Sequence, residues 1–291
     1  MNAVSGQTNA NSGFAFSTLG CSGASLSAIV STAGRSGCQG LELRVSDDEF
    51  LGLGATEAAA REARESLTSM GLAVIALTSY VGLAAPFPAD GPDAELSNLT
   101  VLLHLAAALG APGVRVFIRD IDDVLGNSAV PTAGESRALF RLRQILPVCE
   151  KTGTTVFVET HDSHSTGRRM ASFFQRVDAA CPGHPFRIIW DCAHSWAGGE
   201  DPAQSLELLL PWLAYVQIKD VLSRRDPEPV LPGSGTYPIE DLARAVKNTG
   251  WRGWVCLEWE RKWHPDLPPI DVALEATRSW ASALLATQGI S

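Results

Sequence analysis

Four hydrophobic segments in the second half of the chain end in polar side chains. The segments are VFVETHD (Val156–Asp162), RIIWDCAH (Arg187–His194), YVQIKD (Tyr215–Asp220) and WVCLEWE (Trp254–Glu260). Each begins as the short apolar run expected of a buried parallel strand. Each then carries a carboxylate or a carboxamide near its C-terminal end. These four residues, called here the acid–amide cluster, are Glu159, Asp191, Gln217 and Glu258.

The acid–amide cluster indicates a shared cation, because burying an ionised carboxylate is costly unless a positive charge neutralises it. Its members offer only oxygen donors, provided that Gln217 presents its carbonyl oxygen. Hard oxygen ligands favour Mn²⁺ or Mg²⁺, with Co²⁺ as an alternative, over a zinc site rich in thiolates or imidazoles. Such a cation would polarise a ketone and stabilise an enediolate. A buried polar network without a metal is the other interpretation of these residues.

Alternating strand-like and helix-like segments must position this cluster. They form eight β/α units, with glycine before most strands, and this number fits a single (β/α)₈ TIM barrel of typical length. An open doubly wound sheet is the alternative, but no G-x-G-x-x-G follows the first strand-like segment. Residues 1–12 are expected to form a flexible tail, and residues 13–291 one barrel domain. The stretch from 47 to 70, rich in Ala, Glu and Arg, is expected to be one helix.

Side-chain parity places the polar residues inside the predicted barrel. Alternate residues of a barrel strand face the interior and the helices. Val156 and Val158 share one parity, whereas Phe157, Glu159 and His161 share the other. The other three segments sort in the same way, with the bulky or β-branched set opposite the polar set. The polar set is therefore expected at the C-terminal ends of the strands, where barrel active sites lie.

Composition restricts the class of protein. The net charge of −9 argues against a nucleic-acid partner, since phosphate binding needs a surplus of Lys and Arg. No apolar run of about 18 residues predicts a membrane span, so no membrane partner is expected. The polar N-terminus lacks the features of a secretory signal, which makes a cytoplasmic location the expectation. The six cysteines form no C-x-x-C pair and are expected to be reduced thiols in the core.

Several motifs resemble one protein family. ETHD, WDCAH, VQIKD and LEWE match, in order, the metal-site segments of the sugar phosphate isomerase/epimerase family, which belongs to the xylose isomerase-like barrel superfamily. LPGSGTYPIEDLARAV and GWRGWVCLEWE resemble its glycine-rich loop, seventh helix and last strand, and GCQGLELR its second strand. The resemblance spans nearly the whole chain. It implies the fold and a divalent-metal site, but no particular substrate, because the family includes epimerases, isomerases and dehydratases.

The resemblance also implies roles for individual residues. The acid–amide cluster would supply the metal ligands, and Glu159 and Glu258 would move protons on opposite faces of a bound ketose. His194 would contact a substrate oxygen. Lys219 shares the inward parity of Gln217 and is placed to stabilise an oxyanion. The alternative for Lys219 is a salt bridge to Glu258 or Glu42.

Other polar and aromatic residues are candidates for substrate binding. His161 follows Glu159 on the same parity and could contact substrate, act as a base or merely pack. Arg115 could bind substrate or belong to an internal charge network. Trp196 would suit the apolar face of a sugar. Glu260, His164 and His264 fall in predicted rim loops and are expected to be solvated.

The chain departs from the family pattern at three positions. The third ligand is usually His, whereas this chain has Gln217. The glycine-rich loop usually reads G-E-G, and here it contains Ser234. The ketose 3-epimerase branch carries an acid six residues after its first glutamate, where this chain has Ser165. Simple hexulose 3-epimerisation is therefore disfavoured.

The leading functional hypothesis is a divalent-metal-dependent sugar isomerase or epimerase that acts through an enediolate on a ketose-like carbohydrate. A dehydratase or lyase of the inosose, dehydroshikimate or 3-keto-glycoside type is the alternative, because the same intermediate can expel a β-substituent. A non-catalytic sugar-binding barrel and an abasic-site endonuclease are weaker hypotheses; the latter would require more histidines and a basic groove. The resemblance makes a homodimer or homotetramer the expected assembly.

Overall fold

The computed structural model describes residues 12–121 and 130–289, and in this part of the chain eight parallel strands close into a barrel. The barrel strands are β1 (Gly13–Ser17), β2 (Gly40–Arg44), β3 (Ala73–Gly82), β4 (Gly113–Phe117), β5 (Thr155–Glu159), β6 (Arg187–Asp191), β7 (Leu213–Ile218) and β10 (Trp254–Leu257). β10 pairs with β7 on one side and closes the barrel against β1 on the other. The predicted (β/α)₈ barrel is confirmed.

Helices connect the strands and cover the barrel. They are α1 (Leu26–Ser36), α2 (Glu57–Ser69), α3 (Ala94–Leu109), α4 (Ala133–Thr152), α5 (Gly167–Ala180), α6 (Cys192–Ala197), α7 (Pro202–Leu209), α8 (Ile239–Thr249) and α9 (Ile270–Thr287). Side-chain oxygens cap many of their first turns; Ser25, for example, accepts from the backbone of Ala28. Several helices end at a left-handed glycine such as Gly110 (φ 81°). These C-terminal glycines account for the glycines that precede the strands in the sequence.

The helix predicted from 47 to 70 is wrong over its first ten residues. Residues 47–56 form turns and loop, and α2 begins only at Glu57. Thr56 caps the helix by accepting a hydrogen bond from the backbone of Ala59. Leu51 is buried in the core, which anchors the preceding loop against the barrel.

A short antiparallel hairpin, β8 (Asp220–Ser223) and β9 (Asp226–Val230), was not predicted; it follows β7 at the mouth of the barrel. The Asp220 carboxylate accepts hydrogen bonds from the backbone of Gly233, Gly235 and Tyr237 at 2.9, 2.8 and 3.1 Å. The glycine-rich loop is therefore tied to the end of the strand that carries Gln217.

The barrel interior has an apolar lower layer. Its buried residues are Ala15, Ile75, Ala76, Phe157, Ile189, Tyr215, Trp254 and Cys256. The other parity packs against the helices, as Val156 and Val158 do, which confirms the predicted alternation. The acid–amide cluster lies beyond this layer, at the C-terminal ends of the strands.

The sequence also led to predictions about the cysteines, membrane spans and the division into a tail and one domain. All six cysteines are free, and all except Cys21 are buried, as expected of core thiols. No helix in the described ranges is long and apolar enough to cross a membrane. The division into a tail of residues 1–12 and a single domain stays a prediction, because residues 1–11 lie outside the described residues.

Candidate metal centre and active site

The acid–amide cluster converges at the C-terminal mouth of the barrel. Each of its side chains is buried, with exposed fractions from 0% for Asp191 and Gln217 to 5% for Glu258. Potential ligand atoms of Glu159, Asp191, Glu258 and the nearby His194 all lie within 4.8 Å of one another. Adjacent parallel strands carry three members of the cluster on β5, β6 and β7, which explains this proximity.

Asp191 and Glu159 are each held by one carboxylate oxygen. Asp191 Oδ1 accepts hydrogen bonds from the backbone of Ala193 (2.9 Å) and His194 (3.1 Å), and thereby caps α6. Glu159 Oε2 accepts from Arg115 Nη1 at 2.7 Å. The second oxygen of each carboxylate is left to face the cluster.

Gln217 is fixed through its amide nitrogen. Nε2 donates to Glu42 Oε2 at 2.9 Å and more weakly to Glu258 Oε1 at 3.4 Å. Tyr215 also donates to Glu42 Oε2, which fixes the acceptor. The carbonyl oxygen of Gln217 is therefore the atom available to a cation.

Three oxygens of the cluster are buried without a hydrogen bond. They are Glu159 Oε1, Asp191 Oδ2 and Gln217 Oε1. Asp191 Oδ2 is nevertheless in an ion pair with Lys219, whose Nζ lies 2.7 Å away, so only the other two oxygens have no partner. A buried polar atom without a partner is costly. Two such oxygens beside the ion-paired oxygen of Asp191 fit a divalent cation with hard oxygen ligands.

The local charge balance agrees with this fit. Among the described residues in and around the cluster, there are four buried acidic side chains but only two buried basic ones. The residues are Glu42, Glu159, Asp191, Glu258, Arg115 and Lys219. Burial and the neighbouring Glu258 raise the pKa of Glu42 to about 7, and burial also raises the pKa of Glu159. Both shifts show that this pocket disfavours further uncompensated negative charge.

Lys219 makes a dense set of ionic contacts. Its Nζ lies 2.7 Å from Asp191 Oδ2 and 2.8 Å from Glu258 Oε2, and it also contacts Glu260. Burial alone would lower the pKa of Lys219, but these carboxylates raise it well above its usual value. Burial alone would raise the pKa of Glu258, but Lys219 holds it well below its usual range. Glu260 was expected to be solvated; 20% of its side chain is exposed, and its carboxylate contacts Lys219.

His194 stands between the cluster and the mouth. Its Nε2 lies 3.3 Å from both Lys219 Nζ and Asp191 Oδ2. Burial and the charge of Lys219 hold the pKa of His194 well below its usual value, which favours the neutral imidazole. The ring packs edge-on against His161, with 4.6 Å between the centroids. Both histidines therefore border the same space above the cluster.

Aromatic and basic residues from β3, β4 and the following loop line the mouth, and the sequence interpretation missed three of them. Phe117 packs 4.6 Å from His161 between ring centroids, and Arg115 and Arg119 lie 4.2 and 4.6 Å from its centroid. Tyr80 lies within 6 Å of both guanidinium groups. Phe117 has the same strand parity as Arg115, and this signal could have found it.

Trp196 does not pack against Phe117 or Tyr80. Its ring packs against Tyr237 with 5.7 Å between centroids, and Arg224 lies over it at 5.0 Å. Trp196 is only 8% exposed, whereas Trp263 is 53% exposed and packs against Tyr80. A substrate contact by Trp196 stays a prediction, and Trp263 is the tryptophan that lies next to Tyr80.

The barrel and its polar mouth define a class of protein that sequence comparison identifies. The sequence profile of the xylose isomerase-like TIM barrel family matches residues 30–283, and the chain belongs to this family. A Streptomyces coelicolor protein named "Putative hydroxypyruvate isomerase" is 24% identical over 214 residues, which cover 68% of this chain and 72% of that protein.

Solved structures share the architecture over almost the whole chain. The 3-keto-D-glucoside 4-epimerase YcjR from E. coli has a TM-score of 0.69 at 18% identity, with 95% of this chain and 98% of that chain covered. The probable 3-DHS dehydratase AsbF from Bacillus anthracis has a TM-score of 0.71 at 19% identity, with coverage of 94% and 98%. A Mycobacterium smegmatis barrel in complex with magnesium has a TM-score of 0.69 at 15% identity, with coverage of 96% and 98%. At these identities the likeness shows the fold.

Proposed function

We propose that the protein is a divalent-metal-dependent isomerase or epimerase of small carbohydrate-like carbonyl compounds, with Mn²⁺ or Mg²⁺ held by the acid–amide cluster. The converging buried oxygens of Glu159, Asp191 and Gln217, two of which have no partner, carry this proposal. A divalent cation at that place would polarise the substrate carbonyl and favour the enediolate form. The names of the similar isomerase and epimerase support the reaction class.

The chain's own residues would handle the proton and the substrate. Glu159 ends β5 and Glu258 directly follows β10, two strands that β6 and β7 separate, so one carboxylate would remove the proton beside the carbonyl and the other would return it. Neutral His194 would offer Nε2 to a substrate oxygen, and protonated Lys219 would stabilise negative charge on oxygen. Arg115 and His161 border the same space and would bind substrate hydroxyl or carboxylate groups.

A dehydratase or lyase is the second candidate, because the same enediolate can expel a β-substituent and because one structural neighbour is a probable dehydratase. Incubation with candidate ketoses and cyclic ketones in deuterated water separates the two. Isomerisation or epimerisation would place deuterium in a product with an intact skeleton. Elimination would release water or an aglycone.

Replacement of Glu258 tests the proposal. Glu258→Gln removes one anionic oxygen donor, so we expect Mn²⁺ affinity to fall by roughly 10-fold or more and solvent-deuterium exchange into substrate to fall with it. Titration calorimetry with Mn²⁺ and NMR of the exchange reaction are the measurements. Glu228→Gln is the matched control, because it removes the same charge from an exposed rim residue that contacts His264. Unchanged metal content and turnover in Glu258→Gln would refute the assignment.

A further inference from the structure

We propose that Lys219 is a built-in counter-ion of the acid–amide cluster, which a divalent ion displaces toward Glu260 when it binds. This inference rests on the proposed function, because it concerns the same cluster. It assigns Lys219 and Glu260 a part in cation exchange that precedes any contact with substrate.

Lys219 contacts two of the four members of the acid–amide cluster. Glu159 Oε1 and Gln217 Oε1 have no partner, whereas Lys219 contacts Asp191 Oδ2 and Glu258 Oε2. Glu258 Oε1 accepts from Gln217 at 3.4 Å, and Oε2 accepts from Lys219 at 2.8 Å. Lys219 is only 3% exposed, so its ammonium group is enclosed with the cluster.

The ammonium group and a divalent ion would compete for the same oxygens. Lys219 Nζ already lies 2.7 Å from Asp191 Oδ2 and 2.8 Å from Glu258 Oε2. Two cations within a few ångströms of each other repel strongly at a buried site, where the effective dielectric constant is low. Metal coordination by Asp191 and Glu258 therefore requires Lys219 to give up one or both of these contacts.

Glu260 provides the place to which Lys219 can move. Its carboxylate already contacts Nζ, and it lies outside the acid–amide cluster, with a side chain that is 20% exposed. A small rotation of the lysine side chain can therefore exchange two buried carboxylates for this rim carboxylate. His194 Nε2, at 3.3 Å from Nζ, borders the same path.

This exchange couples metal loading to the position of Lys219. With the cation bound, the ammonium group would stand beside His194 and Glu260 at the mouth, where a substrate oxygen enters. Gln217 strengthens the competition, because a neutral amide oxygen adds less affinity for a transition metal than an imidazole does. Lys219 is thus a positioning residue for the centre as well as a candidate contact for substrate.

Metal affinity distinguishes this role from simple structural support. If Lys219 competes with the metal, Lys219→Met should bind Mn²⁺ at least about 10-fold more tightly than the wild type, since the competing charge is gone. If Lys219 only holds the acids together, the same change should weaken binding. Calorimetric titration of metal-free protein with Mn²⁺, at fixed pH and ionic strength, measures the difference. Lys262→Met is the matched control, because Lys262 is a rim lysine that contacts Asp48 and should leave affinity unchanged.

Glu260→Gln gives an independent test that does not require removal of the buried lysine. Without its rim carboxylate, the displaced ammonium group loses its partner, so Mn²⁺ binding should weaken by several-fold. In the Lys219→Met background, Glu260→Gln should have a much smaller effect, because the two residues act as one unit. Unchanged Mn²⁺ affinity in Glu260→Gln would overturn the proposal, even if Lys219→Met fails to fold.

The outcomes separate this inference from the proposed function. Wild type that binds Mn²⁺ more tightly than Lys219→Met, or equally well, overturns the counter-ion role and leaves the metal-dependent function standing. Binding only after Lys219→Met supports the counter-ion role and contradicts the metal dependence of the native protein. Absence of Mn²⁺ binding in both proteins overturns both.

Discussion

If the acid–amide cluster holds a metal, we expect Gln217 to influence which cations it prefers. Its amide nitrogen is committed to Glu42, so only a neutral, hard carbonyl oxygen faces the cluster. We expect Gln217→His to raise affinity for Zn²⁺ and Co²⁺ relative to Mg²⁺ by roughly 10-fold or more, because an imidazole nitrogen suits those metals better. Competition titrations with the three metals measure the ratio. An unchanged ratio would show that residue 217 does not contact the metal.

Individual side chains were predictable where strand parity applies. Glu159, Asp191 and Gln217 belong to barrel strands, whose C-terminal ends meet at one mouth, so the sequence alone placed them together. Glu260 shares the parity of Glu258, but it was expected to lie in a rim loop, so its contact with Lys219 was not predicted. His164 was expected to be solvated, but it is fully buried between Ser163 and Glu135. Its ring is carried inward by a short 3₁₀ turn that the sequence did not reveal.

Glu135 connects α4, the 3₁₀ turn after β5 and α5. It completes the capping box of α4 with Thr132, contacts His164 after β5, and accepts from Arg176 of α5 at 2.6 Å. Burial alone would raise the pKa of Glu135, but the contacts with His164, the backbone of Thr132 and Arg176 hold it below its usual value. The carboxylate therefore joins elements that are far apart in sequence.

The charge of Glu135 should make a pH-dependent contribution to stability. A carboxyl group whose pKa is lower in the folded state stabilises the fold above its ordinary pKa of 4.5, and this contribution is lost as the pH falls through the folded value. Glu135→Gln should lower the free energy of unfolding at pH 7 by about 1–3 kcal/mol. The gap to wild type should narrow below pH 4.5 in urea denaturation. A gap that is constant with pH would mean that shape, and not charge, is what Glu135 contributes.

Glu275→Gln is the control for this prediction. It removes a carboxylate that pairs with Arg278 on α9 while 70% of its side chain is exposed. Exposed pairs contribute little, so its effect should stay below about 0.5 kcal/mol at either pH. The sequence does not predict the contacts of Glu135, because only the cap at Thr132 is a local signal. Its other partners, His164 and Arg176, come from the 3₁₀ turn after β5 and from α5.

At the scale of the whole molecule, the count of eight β/α units predicted the closed barrel, because most units have a local signature of apolar strand, polar cap and terminal glycine. The unpredicted hairpin β8–β9 has a weaker signature, since β9 carries two prolines and mostly exposed residues. Polar and apolar residues also occupy opposite ends of the barrel interior. Polar residues occupy the C-terminal mouth, whereas the opposite end of the interior is filled by apolar side chains around Trp254.

The Gly40→Ala substitution tests whether the apolar end of the barrel interior is independent of the polar mouth. A β-carbon there would lie 2.8 Å from Trp254 Cζ3 and 3.0 Å from Ile75 Cγ2, so Gly40→Ala overpacks the lower interior. We expect the free energy of unfolding to fall by about 1–3 kcal/mol while Mn²⁺ affinity stays unchanged. Gly34→Ala is the control, since an added β-carbon on exposed α1 meets no atom within 4 Å and should stabilise the protein by about 0.5–1 kcal/mol. Chemical denaturation measures the free energy of unfolding of both variants, and titration measures their Mn²⁺ affinity. Weaker metal binding in Gly40→Ala, at unchanged stability, would show that the two ends of the barrel are not independent.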